Sequence, residues 1–350
     1  MDSLKLYDKR DIRFETADKP RIENSKDVLV KIKACGICGS DISRYRKLGA
    51  HSPGEIWGHE FSGVVESIGN EVTELSVGDH VAGVPALIDE DDYYYKSGRP
   101  AQADSLNAIG AKSPGGFAEY IVLDEKNLVK VPKELDFEAA AMVEPSTVVL
   151  HGFYHSSINV GDSVVVLGAG GTIGMFAVQW AKIFGASKVI AVDIDNEKLE
   201  ITKQIGADFT INSLNEDTLQ LISEYTNGIN ADLVIEAAGS PATSSTAFGY
   251  ARKGGKVLFL GIPYADITIE RFYFEKIMRS ELTVKGSWSC VSAPFPGKEW
   301  PNTVHFMNNG KLNTEKMITH KVSLSEGPEM FEKLMERNEL IGKVIMYPEK

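Results

Sequence analysis

The segment Ser163-Val-Val-Val-Leu-Gly-Ala-Gly-Gly-Thr-Ile-Gly174 decides the fold. Its first five residues form an apolar run, the pattern of a strand covered on both faces. A glycine cluster follows. Then Ile173, Phe176, Ala177, Trp180, Ala181 and Phe184 recur at i, i+3, i+4, i+7, i+8 and i+11, which is one stripe of a helix. Lys188-Val-Ile-Ala-Val-Asp193 reads as the next strand. Strand, helix and strand make a βαβ unit, whose crossover is expected to be right-handed. Leu233–Ala237, Lys256–Leu260 and Leu282–Lys285 continue the pattern, so the middle of the chain is read as an α/β domain with a doubly wound parallel sheet.

The glycine cluster places chemistry at the end of the first strand. Glycines there permit a tight turn and let the backbone approach a pyrophosphate at the helix N-terminus. The candidate cofactor-binding residues are Gly168, Gly170, Gly171, Ile173 and Gly174. Two registers are open. Gly168 and Gly170 would want a third glycine where Ile173 stands, whereas Ala169, Gly171 and Gly174 keep the spacing with alanine in first place. The loop is read as carrying one inserted residue. Asp193 ends the second strand. A carboxylate there accepts both ribose hydroxyls and repels a 2′-phosphate, which favours NAD over NADP. The bland alternative is a glycine-rich turn that binds no dinucleotide.

Outward from this core the pattern changes. Val28–Lys33, Phe61–Ile68, Val81–Pro85 and Tyr120–Leu123 are short strand-like runs between turn residues, expected to form a small, mostly antiparallel barrel. Toward the other end stand one amphipathic helix, Glu329–Glu339, and a strand, Gly342–Met346. That remnant is too small to fold alone and is expected to return to the first domain. The expected division is residues 1–152 with 296–350 in one domain and 153–295 in the other. Length agrees, since 350 residues make two domains at about 100–200 residues each.

Composition excludes several classes of function. The chain is 43% hydrophobic and 25% charged, and its 37 basic and 49 acidic residues leave a net charge of −12, which argues against a nucleic-acid surface. No apolar run approaches the roughly 18 residues of a membrane span. The first residues lack the basic-then-apolar order of a signal peptide. Neither nucleic acid nor membrane is therefore expected as a partner. The three cysteines, Cys35, Cys38 and Cys290, are too few for a disulfide scaffold and fit a reducing cytoplasm. They also cannot build a four-cysteine zinc cage.

The remaining cysteine chemistry points to a metal. Cys38 lies in Gly36-Ile-Cys-Gly-Ser-Asp41, His59 and Glu60 lie in Gly58-His-Glu-Phe-Ser-Gly63, and Glu144 precedes Pro145. A thiolate, an imidazole and carboxylates suit a catalytic zinc, which takes three protein ligands and keeps a fourth position open. Other readings exist for each part. Cys35-x-x-Cys38 could be a redox pair, although it lacks the βαβ context of one. His59 could be a structural histidine and Glu144 a turn residue.

On these residues together the chain resembles the zinc-dependent medium-chain alcohol dehydrogenases, and among them the polyol dehydrogenases. The likeness runs over essentially the whole chain, anchored at Cys38–Asp41, Gly58–Gly63, Gly78–Val81, Gly115–Tyr120, Glu144-Pro145, the 168–174 loop, Gly286–Trp300 and Gly342–Val344. It implies a GroES-like β-rich catalytic domain with an inserted Rossmann domain. It implies that Cys38, His59 and Glu144 hold one catalytic zinc. Glu60 is implied either as a ligand that exchanges with water or Glu144, or as a supporting group. Ser40 is implied as the relay for the substrate proton, Asp41 as a carboxylate steadying the zinc site, Asp193 as the adenosine-ribose ligand, and Lys343 as a basic group near the site. One departure is plain. Many relatives carry a structural zinc on the pattern Cys-x-x-Cys-x-x-Cys-x7-Cys, and those positions here are Asp89, Asp92, Tyr95 and Ala103. A structural zinc is therefore expected to be absent.

The implied reaction is zinc- and NAD-dependent oxidation of a secondary alcohol of a polyol phosphate. A phosphate needs positive charge, and Arg44, Arg46 and Lys47 form a basic run shortly after Cys38. Arg44 and Lys47 are the candidate phosphate ligands, Arg being the better suited through bidentate contacts. Within the family the alternative is a free polyol or vicinal diol. Outside it stand a reductase without zinc, against which Cys38, His59 and Glu144 argue, and a non-catalytic relative that kept the fold. A homodimer or homotetramer is expected, with Leu282–Lys285 as a candidate edge for pairing.

Overall fold

Ser163–Leu167 is the third strand of a six-stranded, all-parallel sheet, and every one of its residues is buried. The computed structural model describes residues 1–336 and 338–348. Across the sheet the order is Phe209–Asn212, Lys188–Asp193, Ser163–Leu167, Ala231–Glu236, Ala251–Phe259, Thr283–Gly286. The chain runs outward from Ser163–Leu167 on one side and then returns to its other side, which creates a switch point at the carboxyl end of that strand. Val164, Val165, Val166 and Leu167 are at most 1% exposed, and each is worth roughly 1.5–3 kcal/mol of apolar burial. The helix Thr172–Ile183 lays Phe176, Ala177, Trp180 and Ala181 into the core. It ends where Gly185 takes a φ of +85°, a backbone conformation suited to glycine just past a helix end.

This sheet belongs to a unit made of Val148–Ser289 and Lys311–Met317. The other unit comprises Met1–Thr147, Cys290–Gly310 and Ile318–Lys350. The boundaries therefore fall at 147/148 and 289/290, rather than at 152/153 and 295/296, and 311–317 goes with the parallel sheet. The physical reason is that the helix Val143–Ser156 begins in one unit and ends in the other, so no linker composition marks the change.

The first unit holds a seven-stranded sheet in the order Leu128–Val131, His80–Gly83, Glu60–Ile68, Asp27–Gly36, Lys343–Tyr347, Ile318–Ser323, with Tyr120–Asp124 also pairing Asp27–Gly36. All its pairings are antiparallel except that of Ile318–Ser323 with Lys343–Tyr347. Leu4, Ile32, Phe61, Phe117 and Phe331 fill its core. The last helix spans Gly327–Glu336, starting earlier than expected because Pro328 fits its first turn. Asn338–Leu340 are not helical, and Arg337 lies outside the described residues. The hairpin Asp2–Asp8 with Asp11–Thr16 was not anticipated. Among the described residues no helix is long and apolar enough to cross a membrane.

Gly174 shows how tightly helix and strand meet. A Cβ there would lie 2.2 Å from the Gly168 carbonyl oxygen and 2.6 Å from Ala169 Cα. Alanine in place of glycine inside a helix ordinarily gains about 1 kcal/mol. Here backbone has to move, and overpacking of about 1–3 kcal/mol reverses the sign. Gly174→Ala is expected to lower the midpoint of thermal unfolding; an unchanged or higher midpoint would contradict this packing.

Candidate functional site

Three strands converge on Gly36. Glu60 pairs opposite Gly36 in the antiparallel register, and Ile345 pairs it from the other side. Glu60 and Lys343 thereby reach each other across a residue with no side chain and form a buried ion pair, each side chain at most 2% exposed. A Cβ on Gly36 would lie 2.3 Å from Glu60 Oε2 and 2.7 Å from Lys343 Cε. Lys343 Nζ also donates to the Ile37 carbonyl at 2.9 Å. Burial opposes the lysine charge, but Glu60 and Cys38 hold its pKa above the ordinary value.

The chain turns immediately after this strand. Cys38 caps the short helix Gly39–Ser43, and its backbone N–H donates to Asp41 Oδ2 at 3.0 Å. The other Asp41 oxygen stands 3.8 Å from His59 Nδ1. One buried carboxylate thus ties the cysteine backbone and faces the histidine ring. Burial works against a charged imidazole at His59, yet Cys38, Asp41 and Glu144 raise its pKa well above the ordinary value. Burial raises the Asp41 carboxyl, with His59 opposing. Ser40 sits on the same short helix, two residues after Cys38. Cys35 is fully buried, and burial drives its pKa well up, which makes it a poor partner for thiol redox chemistry.

Glu144 comes from the first turn of Val143–Ser156, where a helix N-terminus favours negative charge. The preceding helix Phe137–Ala141 is tied to the Glu60 strand by Ser62 Oγ, which donates to the Phe137 carbonyl at 2.5 Å. Burial pushes the Glu144 carboxyl up to about 7; His59 opposes this, Glu60 reinforces it, and a hydrogen bond from Cys290 opposes it.

The donor set fits zinc. Ligand atoms of Cys38, His59 and Glu60 all lie within 4.8 Å of one another. Zinc bonds of the usual length place tetrahedral ligand atoms roughly 3.3–3.8 Å apart, so small side-chain movements close the cage. Sulfur with imidazole selects zinc over magnesium or calcium. The structure brings Glu60 into the triplet and leaves Glu144 beside it, whereas the family resemblance assigns Glu144 to the primary set. Among the described residues no other three His, Cys, Asp or Glu side chains gather this closely.

The lobe positions are organised differently. Asp92 caps the helix Tyr93–Lys96, its Oδ1 accepting from Tyr94 N at 2.7 Å and Tyr95 N at 3.3 Å. Its Oδ2 accepts from Ser105 N at 3.0 Å. One carboxylate therefore ties the two arms of the lobe. Asp89 donates its N–H to Ser105 Oγ, Tyr95 packs on Phe295, and Ala103 is buried.

In the second unit the glycine loop runs from a turn at Gly168 to the helix start at Gly171 and the packing contact at Gly174. Gly174 makes the close helix–strand contact required of the third fingerprint glycine, Gly171 caps the helix, and Gly168 makes the turn with a φ of +75°. The turn glycine Gly168 and the packing glycine Gly174 are six residues apart, one more than the fingerprint spacing. Ile173 is half-buried in the first helical turn and is not the third fingerprint position. Gly170 N donates to Asp193 Oδ2 at 2.8 Å, while Asp193 Oδ1 accepts from Ile194 N and Asp195 N. The carboxylate is thus pinned beside the loop.

Arg44 is half-buried in the single π-helical turn Arg44–Leu48, and Lys47 is exposed. Burial, then Arg44 and Lys112, push the His51 pKa down, so the imidazole stays neutral near pH 7 and the positive charge around it is that of Arg44 and Lys112. Sequence reasoning did not find Lys112, which lies far away in the chain.

Family models for a zinc-binding dehydrogenase and for an alcohol dehydrogenase GroES-like domain match residues 172–309 and 24–133. The chain is 37% identical over 337 residues to galactitol 1-phosphate 5-dehydrogenase of Escherichia coli K12, covering 96% of this chain and 97% of that one. It is 30% identical over 356 residues to sorbitol dehydrogenase of Bacillus subtilis 168, covering 100% and 98%. The crystal structure of galactitol-1-phosphate dehydrogenase from Escherichia coli matches with a TM-score of 0.94 at 36% identity, over 99% of this chain and 100% of that one.

Elemental analysis of purified protein is expected to return one zinc per chain in the parent. Cys38→Ser is expected to lose most of that zinc together with most activity. Two tightly held zincs in the parent, or normal turnover with zinc retained in the variant, would overturn this assignment.

Proposed function

The chain belongs to the zinc-dependent medium-chain alcohol dehydrogenase family, and from that premise we propose that it oxidises a secondary alcohol of a polyol phosphate, galactitol 1-phosphate to tagatose 6-phosphate, with NAD as hydride acceptor. The gathering of Cys38, His59 and Glu60 carries the metal part of this reading. Zinc, when bound there, supplies Lewis-acid polarisation of the substrate hydroxyl. Cys38 and His59 hold the metal, with Glu60 or Glu144 completing the set. Asp41 orients Cys38 and His59, and Lys343 balances the charge of Glu60. Ser40 receives the hydroxyl proton and passes it toward solvent. NAD, when bound at the glycine loop, would supply the hydride acceptor that oxidation of the alcohol to a ketone requires. Asp193, at the end of its strand, supports NAD over NADP through the ribose hydroxyls.

Arg44, with His51 and Lys112 beside it, is assigned to the substrate phosphate. The name of the Escherichia coli relative supports this choice; that of the Bacillus subtilis relative favours a free polyol as the second reading. We also assign a homodimer or homotetramer. Thr283–Gly286 is an edge strand whose four residues are all exposed, and the helix Arg271–Arg279 buries none of its residues. Exposed strand edges of this kind are normally paired or covered.

With NAD, turnover of galactitol 1-phosphate is expected to exceed that of galactitol and sorbitol, and NADP to serve poorly. Arg44→Ala is expected to raise KM for the phosphorylated substrate by roughly tenfold, the scale of one lost charge-assisted contact, with little change for a free polyol. Equal KM values in parent and variant would remove Arg44 from the phosphate site; preference for free polyols would favour the second reading. Light scattering is expected to return a dimer or tetramer, and a parent that is monomeric at micromolar concentration would refute the edge-strand assignment.

A further inference from the structure

Asn212 has no part in the reaction proposed above, yet it is buried, 6% exposed, and stands beside Asp193 in the parallel register. It ends the edge strand Phe209–Asn212. Its side-chain amide is committed at both ends. Nδ2 donates to the Ile194 carbonyl at 3.3 Å and to Asn196 Oδ1 at 2.7 Å, and Oδ1 accepts from Leu214 N at 3.0 Å. A backbone carbonyl can only accept and a backbone N–H can only donate, so these partners fix which end of the amide faces which. The Asn212 backbone is held as well. Its N–H donates to Glu216 Oε2 at 2.7 Å, and its carbonyl accepts from Asn215 N and Glu216 N, each at 3.0 Å.

What this braced amide grips is the turn that follows Asp193. Ile194 N and Asp195 N both donate to Asp193 Oδ1, at 2.8 and 3.2 Å, and Asn196 opens the next helix, Asn196–Gln204. The turn therefore faces Asp193 with two amides and Asn212 with a carbonyl. Ser213 N closes the arrangement by donating to the Asp193 carbonyl at 3.0 Å. Asp193 Oδ2 accepts from Gly170 N, and a carboxylate oxygen has a second lone pair that a ligand hydroxyl can use. A carboxylate turns away a 2′-phosphate only while it is held where that phosphate would stand. We infer that Asn212 is a positioning residue for Asp193, clamping residues 194–196 so that the carboxylate meets the adenosine ribose in one orientation, and that this clamp sustains the preference for NAD over NADP. The inference rests on the reading of Asp193 as the ribose ligand. It assigns the preference to a residue on the neighbouring strand as well as to the acid itself.

The test titrates the purified holoprotein with NADH and with NADPH, following the quenching of tryptophan fluorescence, with kinetics recorded separately. Asn212→Ala is expected to weaken NADH binding about tenfold, the scale of one or two lost hydrogen bonds, and to change NADPH binding by less than about twofold, so that the preference narrows. KM for the alcohol at saturating NAD is expected to stay as in the parent. In an Asp193→Ala background, Asn212→Ala is expected to add no further loss of NADH affinity, because a residue that acts through another is not additive with it. Asn196→Ala removes one of the two groups that Asn212 grips, from an exposed position. It is expected to narrow the preference in the same direction, and it carries the comparison should Asn212→Ala fail to fold. Parent-like NADH affinity in Asn212→Ala overturns the proposal. So do equal losses for NADH and NADPH, which mark a packing role, and additive losses in the double variant. Asp193→Ala separates the two levels. If it narrows the preference while Asn212→Ala does not, only the positioning role falls; if it leaves the preference intact, the ribose reading itself falls.

Discussion

The first unit is built around the concentration of negative charge where water cannot reach it. Asp41, Glu60 and Glu144 are all buried, and Cys38 stands among them. Uncompensated burial of such groups is expensive, and breaking a buried pair by removing one partner typically destabilises by about 3–5 kcal/mol. Lys343 supplies one fixed positive charge, and the raised pKa of His59 shows how strongly the pocket asks for another. A divalent metal held by Cys38, His59 and Glu60 would answer that demand. The strand register serves this arrangement. Gly36 is the crossing point of three strands because any side chain there would displace the Glu60–Lys343 pair.

The second unit meets a different requirement by the same geometric means. Its loop carries no cation to neutralise a pyrophosphate. It offers instead a helix N-terminus capped by Gly171 and a backbone that comes close because Gly168 and Gly174 leave no room for a side chain. Asp193 holds Gly170 N in place, so a residue read from sequence as a ribose ligand also shapes the loop beside it. In both units a glycine marks the point where functional groups approach most closely. The chemistry on either side differs: charge compensation in one, exposed amide donors in the other.

What was legible in the sequence follows from burial. Ser163–Leu167 and Lys188–Asp193 were read to the residue, because a strand buried on both faces is a continuous apolar run bounded by polar turns. Cys38, His59, Glu60 and Glu144 were legible as donor types in motifs; the structure gathers Cys38, His59 and Glu60 and leaves Glu144 outside that triplet. The hairpin Asp2–Thr16 was hidden, since its buried Leu4 and Leu6 alternate with charged residues over too short a span. The division of the chain was displaced by a helix that crosses it. The glycine spacing left two registers open, and the structure assigns the packing contact to Gly174 and the turn to Gly168. Lys112 was beyond reach because His51, whose pKa it helps to lower, is distant in sequence, and no local pattern encodes such a meeting.

The lobe illustrates the same separation between residue type and role. Two of the four positions where relatives place thiolates carry aspartate, and only Asp92 ties the lobe together. It does so through backbone donors on both arms, which a single carboxylate can satisfy without a metal. Around Cys38 the situation differs: Asp41 accepts from one backbone amide, but the partner of Glu60 is the Lys343 side chain. An acid surrounded by amide donors is satisfied and structural, and an acid surrounded by other acids and a thiol calls for a cation. By that criterion Asp92 organises a fold, whereas Glu60, paired with Lys343 and gathered with Cys38 and His59, has the donors a cation would use.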